Sequence, residues 1–471
     1  MVAMPHDHVL EMLRRATEAL EAEFSALPGY DPDLCGGQEA AARVLEETAH
    51  RLGDNFPYFH PLYAGQMLKP PHPVARAAYA LAMKINPNNH ARDGGRASSA
   101  MEVEAVREIA GMFGWEEFLG HLTSSGTIAN LEALWMAGQL TPGRRIVGSE
   151  QAHYTHRRIS GVLRLDYAHV AADARGRMKV EALEDELRKG DVGTVVATLG
   201  TTAIGAVDPL EEILALAERY GCRVHVDAAY GGYFGLIADE LEEPARRAFA
   251  AMGRADSIVI DPHKHGLQPY GCGCVLFRNP EVGRFYKHDS PYTYFTSKEL
   301  HLGEISLECS RAGAAAVALW ATQRLLPLVR DGEFARGLVK GRRAAVELDR
   351  RIRGNERFAG LGGVGSRSPK ARDRGHPSPA AYQPAPELDI VVWTLRAADL
   401  RKASEEAQRV FDACAERGLH LALVQLPGPW FGMAAGSVTC LRSVLMKPEH
   451  EAWMDAIWER LSAACEGVVR S

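Results

Sequence analysis

The chain has no apolar run near the ~20 residues that a membrane-spanning helix requires. Neither a membrane span nor a membrane partner is expected. An excess of positive charge is also missing: 54 Lys and Arg stand against 60 Asp and Glu, for a net charge of −6. That balance argues against nucleic acid or an anionic membrane surface as the main partner. Cysteine is sparse and scattered, with eight residues at positions 35, 222, 272, 274, 309, 414, 440 and 465. At this length the spacing predicts reduced thiols in a cytoplasmic protein rather than a disulfide framework. Cys272-Gly273-Cys274 has no second pair to complete a structural metal site, so no metal is expected. The opening residues, Met-Val-Ala-Met-Pro-His-Asp-His, lack the basic stretch and apolar core of a secretion signal. No internal repeat stands out. What remains is an ordinary globular composition, 46% hydrophobic and 24% charged over 471 residues, enough for two or three domains.

Hydrophobic periodicity organises the chain. Val9, Leu13, Ala16, Leu20 and Phe24 recur at helical spacing, which predicts a helix over 8–24 that needs a surface to pack on. Leu27-Pro28-Gly29-Tyr30-Asp31-Pro32 stops it. From about 100 to 280, strand-like runs alternate with helical stretches. Ile146-Val147, Thr194–Leu199, Val224–Asp227, Ser257–Ile260 and Gly273–Phe277 read as strands, and Leu210–Tyr220 as a helix. Alternation of this kind predicts a mostly parallel sheet covered by helices. Ligands of such sheets bind beyond the carboxyl ends of the strands. A long Ala-rich helix is predicted over Ala312–Leu326, and the Gly-, Ser-, Pro- and Arg-rich stretch 364–386 reads as a flexible surface loop. A smaller α/β unit follows, with strands Leu388–Leu395 and Val438–Met446 around a helix near 400–417. The expected division is an N-terminal segment 1–95, a large domain 96–330 and a small C-terminal domain 331–471.

Two strand ends carry the chemistry. The run Ser257–Ile260 delivers Asp261-Pro262-His263-Lys264, and Arg223–Asp227 ends in a carboxylate. A lysine and an aspartate, each at the end of its own strand, suit pyridoxal phosphate (PLP). Lys264 would form the imine, and Asp227 would hold the pyridinium nitrogen protonated. Taken singly, these are also a surface lysine and a helix-capping aspartate. Thr123-Ser124-Ser125-Gly126-Thr127 leads into a helix with apolar Ile128, Leu131 and Leu134. Its free N–H groups and dipole suit a dianionic phosphate, with Gly126 allowing close approach and Thr127 adding a hydroxyl. A plain N-cap has the same appearance. His153, just after the Ile146-Val147 strand, is placed to stack on a pyridine ring. His153 and His156 together suggest a metal pair, but nothing nearby supplies a third ligand.

In order, Thr-Ser-Ser-Gly-Thr (123–127), Gln-Ala-His (151–153), Ala-Thr-Leu-Gly-Thr-Thr (197–202), His-Val-Asp-Ala-Ala-Tyr (225–230) and Asp-Pro-His-Lys (261–264) resemble the group II PLP-dependent decarboxylases. These include aromatic amino-acid, glutamate and tyrosine/aspartate decarboxylases. The resemblance runs from about residue 50 to 325 and returns near 438–448. It implies an α/β fold of fold-type I (aspartate aminotransferase-like), with a large mostly parallel sheet and a smaller C-terminal α/β domain. It implies PLP as cofactor and a homodimer whose N-terminal segment wraps the partner. By the same resemblance, Lys264 is the imine lysine, Asp227 the pyridinium partner and His153 the stacking residue. Ser125, Gly126 and Thr127 hold the phosphate, Thr198 and Ala229 flank the ring, and His263 lies near the phosphate.

The segment Ser290–Phe295 resembles the family's mobile loop, so Tyr294 or Tyr292 would be the proton donor; aromatic packing at a dimer contact is the alternative. His60 and Tyr63 fall in a stretch resembling the substrate-facing segment, which also reads as a Pro-fixed packed loop. Arg442 would bind a substrate carboxylate or only stabilise the small domain. Animal aromatic decarboxylases usually have Asn where this chain has Asp261, and a large residue where it has His265. The stretch looks closer to archaeal tyrosine/aspartate decarboxylases and to sphingosine-phosphate lyase. The expected activity is therefore decarboxylation of an aromatic or acidic L-amino acid. A carbon–carbon lyase, an aminotransferase and a non-catalytic PLP-binding protein are the alternatives.

Overall fold

The computed structural model describes residues 9–30, 35–90, 94–287, 305–362 and 386–470. Helices α1 (Val9–Glu23), α2 (Gln38–Leu52), α3 (Pro73–Met83) and α4 (Arg96–Met112) come first. The next part alternates: β1 (Leu119–Thr123), α5 (Gly126–Leu140), β2 (Arg145–Ser149), α6 (Thr155–Leu163), β3 (Tyr167–Val170), α7 (Val180–Leu187), β4 (Val192–Thr198) and α8 (Leu210–Tyr220). It continues through β5 (Arg223–Asp227), α9 (Ala245–Ala250), β6 (Ser257–Ile260), β7 (Gly273–Phe277) and α10 (Gly313–Leu325). The last part holds α11 (Glu333–Gly354), β8 (Phe358–Gly360), β9 (Ile390–Leu395), α12 (Leu400–Glu416), β10 (Ala422–Pro427), β11 (Ser437–Val444) and α13 (Met454–Arg470).

The strands of the first sheet follow the order β1-β7-β6-β5-β4-β2-β3. Strand β7 runs antiparallel to both neighbours, and the β6-β5-β4-β2-β3 pairs are parallel. Every residue of β4, β6 and β7 is buried. This is why those strands read as continuous apolar runs rather than as alternation: helices cover both faces. The main core joins Val195, Val224, Val226, Ile258 and Leu276 of the sheet to Ile109, Leu183, Leu210 and Ile213 of the helices. Helix α8 stops at Gly221, whose φ of 66° is left-handed and closes the turn into β5.

The second sheet is antiparallel, β10-β11-β9-β8. Its core sets Val391, Trp393 and Leu441 against Leu348, Val410, Ile457 and Leu461. Leu62 and Ala64, from the stretch 1–95, pack into this core as well. They are held there because Ala64 N–H donates to the His420 carbonyl and Val444 N–H to the Ala64 carbonyl, at 2.9 and 2.7 Å. The stretch 364–386 lies outside the described residues except for Pro386. Among the described residues, no helix is long and apolar enough to cross a membrane, and no cluster of three metal-ligating side chains occurs.

Candidate active site

Topology brings four chain segments to one edge of the large sheet. Since β7 is antiparallel to both β1 and β6, the carboxyl ends of β1, β4, β5 and β6 share that edge. Thr198 ends β4 directly beside Asp227 at the end of β5, and Asp227 pairs with Val259 of β6. A cavity of about 190 Å³ opens there. Ser125, Gly126, Thr127, His153, Thr198, Asp227, Ala229, His263 and Lys264 all line it, so nine residues proposed from five separate motifs meet in one place.

Asp227 is buried and doubly bonded. Its Oδ2 lies 2.7 Å from His156 Nε2, and its Oδ1 accepts from the Ala229 N–H at 3.1 Å. Burial pushes its pKa up, but the bond from His156, the positive charge of Lys264 and the Ala229 amide outweigh it. The carboxyl is held below the usual carboxylate range. The Lys264 ammonium lies 3.2 Å from Asp261 Oδ2, and its side chain is one-fifth exposed, into the cavity. His263 Nδ1–H donates to the Cys272 carbonyl at 2.7 Å, which turns Nε2 toward Asp261 at 3.5 Å. Burial, helped by the Lys264 charge, lowers the His263 pKa.

His153 sits just ahead of α6. Its Nδ1 accepts from the Thr155 N–H at 3.3 Å and lies 2.7 Å from the Thr155 hydroxyl, which fixes the ring plane. Burial is the main reason its pKa is lowered. At the other side of the cavity, Ser125 Oγ caps α5 by accepting from the Ile128 N–H at 3.3 Å. A Cβ at Gly126 would collide with the Asp261 carboxylate, so only glycine lets this turn approach the β6 end. Thr198 N–H donates to the buried Asp208 carboxylate at 2.8 Å, while the Thr198 hydroxyl is buried with no partner among the described residues. Burial pushes the Asp208 carboxyl up to about 7.

These residues fit PLP by the chemistry of the donor set. The cavity holds a partly exposed amine, a helix N-terminus suited to a dianion, a carboxylate fixed by two donors, and a buried hydroxyl with no partner among the described residues.

The other expected residues lie elsewhere. His60 packs edge-on against Trp453, just ahead of α13, with ring centroids 4.8 Å apart, and its Nδ1 accepts from the Leu62 N–H at 3.1 Å. Tyr63 is buried edge-on against Tyr58, and its carbonyl accepts from Lys447 Nζ at 2.6 Å. Neither lines the cavity. Arg442 is buried and donates to the carbonyls of Ala203, Gly65 and Thr202 at 3.0, 3.1 and 2.7 Å. Of its two expected roles, those contacts describe the structural one: a clamp from β11 onto the segment that follows β4. Tyr292 and Tyr294 lie outside the described residues.

Sequence reasoning missed Asn130, Thr155, Gly200, Thr202 and Tyr230, which also line the cavity, and the role of His156 behind it. A signal existed for part of this. His225 and Asp227 alternate on β5 and so share a face. That face meets Asn130, whose Oδ1 accepts from His225 Nε2 at 2.8 Å. His156 draws attention as a metal partner of His153, yet its Nε2 turns to Asp227.

Comparison with known proteins bears on the family and the fold. The pyridoxal-dependent decarboxylase conserved domain matches residues 57–359, more than half of the chain. The L-tyrosine decarboxylase of Enterococcus faecium is 28% identical over 397 residues, covering 63% of this chain, and the chain spans 65% of that protein's length. A probable L-tyrosine/L-aspartate decarboxylase of Methanoculleus marisnigri is 30% identical over 283 residues, covering 60% of this chain and 74% of the relative. In fold, the chain is similar to Oryza sativa TDC, solved with PLP and tryptamine. The TM-score is 0.74 at 18% identity, with 99% of each chain covered. The architecture is thus that of fold-type I enzymes, and the chain belongs to the pyridoxal-dependent decarboxylase family.

Proposed function

We propose that this chain is a PLP-dependent decarboxylase that converts an aromatic or acidic L-amino acid to its amine and CO2. The observation that carries the reading is the meeting of Lys264, Asp227 and the α5 N-terminus in one cavity at the carboxyl ends of β5, β6 and β1. The names of the relatives, tyrosine and tyrosine/aspartate decarboxylases, support the substrate class.

Bound there, PLP would supply an electron-poor ring able to accept the electron pair left behind when CO2 departs. Lys264 would link to its aldehyde. Asp227 would hold a proton on the ring nitrogen, and a preorganised carboxylate is worth most where charge changes during the reaction. His153 would cover one ring face, with Thr198 and Ala229 flanking the ring. Ser125, Gly126 and Thr127 would bind the phosphate through the start of α5, with His263 beside it. Tyr294 or Tyr292 would deliver the proton to the substrate Cα. His60, Tyr63 and Arg442, none of them on the cavity wall, would serve the substrate only by shaping the approach to it.

The same reading makes 96–330 the cofactor-binding domain and 331–471 the small domain, with 1–95 packing on a second copy. Support for the homodimer comes from α1 and α2, where Leu10, Val44, Leu45 and Leu52 are between 61% and 74% exposed. Eight scattered cysteines, none joined in a disulfide among the described residues, support a cytoplasmic location.

A CO2-release assay over the common L-amino acids tests the proposal. Release from an aromatic or acidic amino acid, lost in Lys264→Ala, is expected. Cofactor-loaded protein that releases CO2 from none of them, or that produces an aldehyde instead, would overturn it.

A further inference from the structure

We infer that His156 is a positioning residue for Asp227: it donates a neutral hydrogen bond that fixes the carboxylate toward the cavity without cancelling its charge. The inference rests on the reading of that cavity as the PLP site. It begins with local structure. Helix α6 starts two residues after His153, so one chain turn sets His153 on the cavity wall and His156, in the first turn of the helix, behind Asp227. His156 is fully buried, and its Nε2 lies 2.7 Å from Asp227 Oδ2.

The two oxygens of Asp227 are held from two different elements. Oδ1 takes the N–H of Ala229, just beyond β5, and Oδ2 takes His156 from α6. With only the first bond, the carboxylate could turn about its Cβ–Cγ bond. The second donor stops that rotation and leaves lone pairs on both oxygens for a further partner.

The ring's protonation state follows from its other nitrogen. His156 Nδ1 is buried and has no hydrogen-bond partner among the described residues. An imidazolium would leave a charged N–H unsatisfied there, which costs more than a bare lone pair. The proton therefore sits on Nε2, and the ring is neutral. The neighbouring ring agrees with this polarity. His225, 6.3 Å away by ring centroids, donates from Nε2 to Asn130 Oδ1 and accepts at Nδ1 from the Ser257 hydroxyl, so it too is neutral. A neutral donor is what the chemistry calls for. A charged His156 would pair with Asp227 and weaken its hold on a proton at the cofactor ring nitrogen.

The test uses His156→Leu, which removes the donor, and His156→Gln, which keeps an N–H of similar reach. In His156→Leu loaded with ring-15N-labelled PLP, the nitrogen resonance should move downfield toward an unprotonated pyridine. kcat should fall about tenfold to a hundredfold, the range found when a group orienting a ligand is lost, while KM changes little. His156→Gln should recover most of both. In cofactor-free protein labelled with 15N-histidine, the resonances that vanish in His156→Gln should show the neutral Nε2–H pattern. A wild-type ring-nitrogen shift in His156→Leu, an imidazolium pattern for His156, or equal losses in both variants would each overturn the inference. Wild-type protein that takes up no PLP would overturn the reading of the cavity instead, and the cofactor-free histidine spectrum would still decide the bond.

Discussion

Asp227 concentrates the chemistry at the scale of one residue. Asp227→Asn keeps the shape and the Ala229 contact but removes the charge that would hold a proton at the ring nitrogen. The variant should still take up PLP while kcat falls roughly a hundredfold or more, the cost of losing a preorganised electrostatic partner. Turnover near wild type would remove Asp227 from that role. His225 shows a second residue-scale effect. Burial is the main reason its pKa is pushed down to about 3. An unfolded histidine takes up a proton below about pH 6.5, whereas the folded His225 resists until about 3, so its stabilising share is complete above 6.5 and lost as pH falls. The stability advantage of wild type over His225→Gln should therefore narrow by about 1.4 kcal/mol for each pH unit between 6 and 4. Urea unfolding of both proteins across that range measures it, and a gap that stays constant would contradict the assignment.

Secondary-structure elements explain which parts of the protein were legible in the sequence. Strands β4, β6 and β7 announce themselves because burial on both faces makes them largely apolar runs, and β5 by Val224 and Val226 ahead of its terminal carboxylate. The helix expected over Leu210–Tyr220 is α8, and Ala312–Leu326 contains α10. Edge strands β1 and β3 gave no comparable signal: Gly120 and His121 interrupt one, and the other is half-exposed with His169 turned outward. The site is legible where a motif sits on a strand end or a helix start, as at Ser125–Thr127, Asp227 and Lys264. Asn130, Thr202 and Tyr230 reach the cavity through helix rotation and loop path, which spacing alone does not encode. One element-scale prediction follows from the α5 start. Gly126→Ala would drive a methyl group into the Asp261 carboxylate. Overpacking of that size costs about 1–3 kcal/mol, so PLP affinity should fall by on the order of tenfold to a hundredfold. Dialysis against graded PLP, read by absorbance, checks this; unchanged affinity would place the phosphate elsewhere.

For the molecule as a whole, the question is whether one chain completes its own site. The exposed apolar residues of α1 and α2 argue for a partner copy. If Tyr292 and Tyr294 serve the opposite site, two defective chains can complement each other. Lys264→Ala mixed with the double variant Tyr292→Phe/Tyr294→Phe should regain part of the wild-type activity, since one site per hybrid receives both a lysine and a tyrosine. Hybrids that form and stay inactive would show that each chain serves itself. The central claim, that Lys264 carries the cofactor, is tested most directly by reducing the PLP-loaded protein with borohydride and mapping its peptides. The expected result is a pyridoxyl group on the peptide containing Asp261-Pro262-His263-Lys264, and on no other. A label on a different lysine, or none on any, would contradict the assignment of the site.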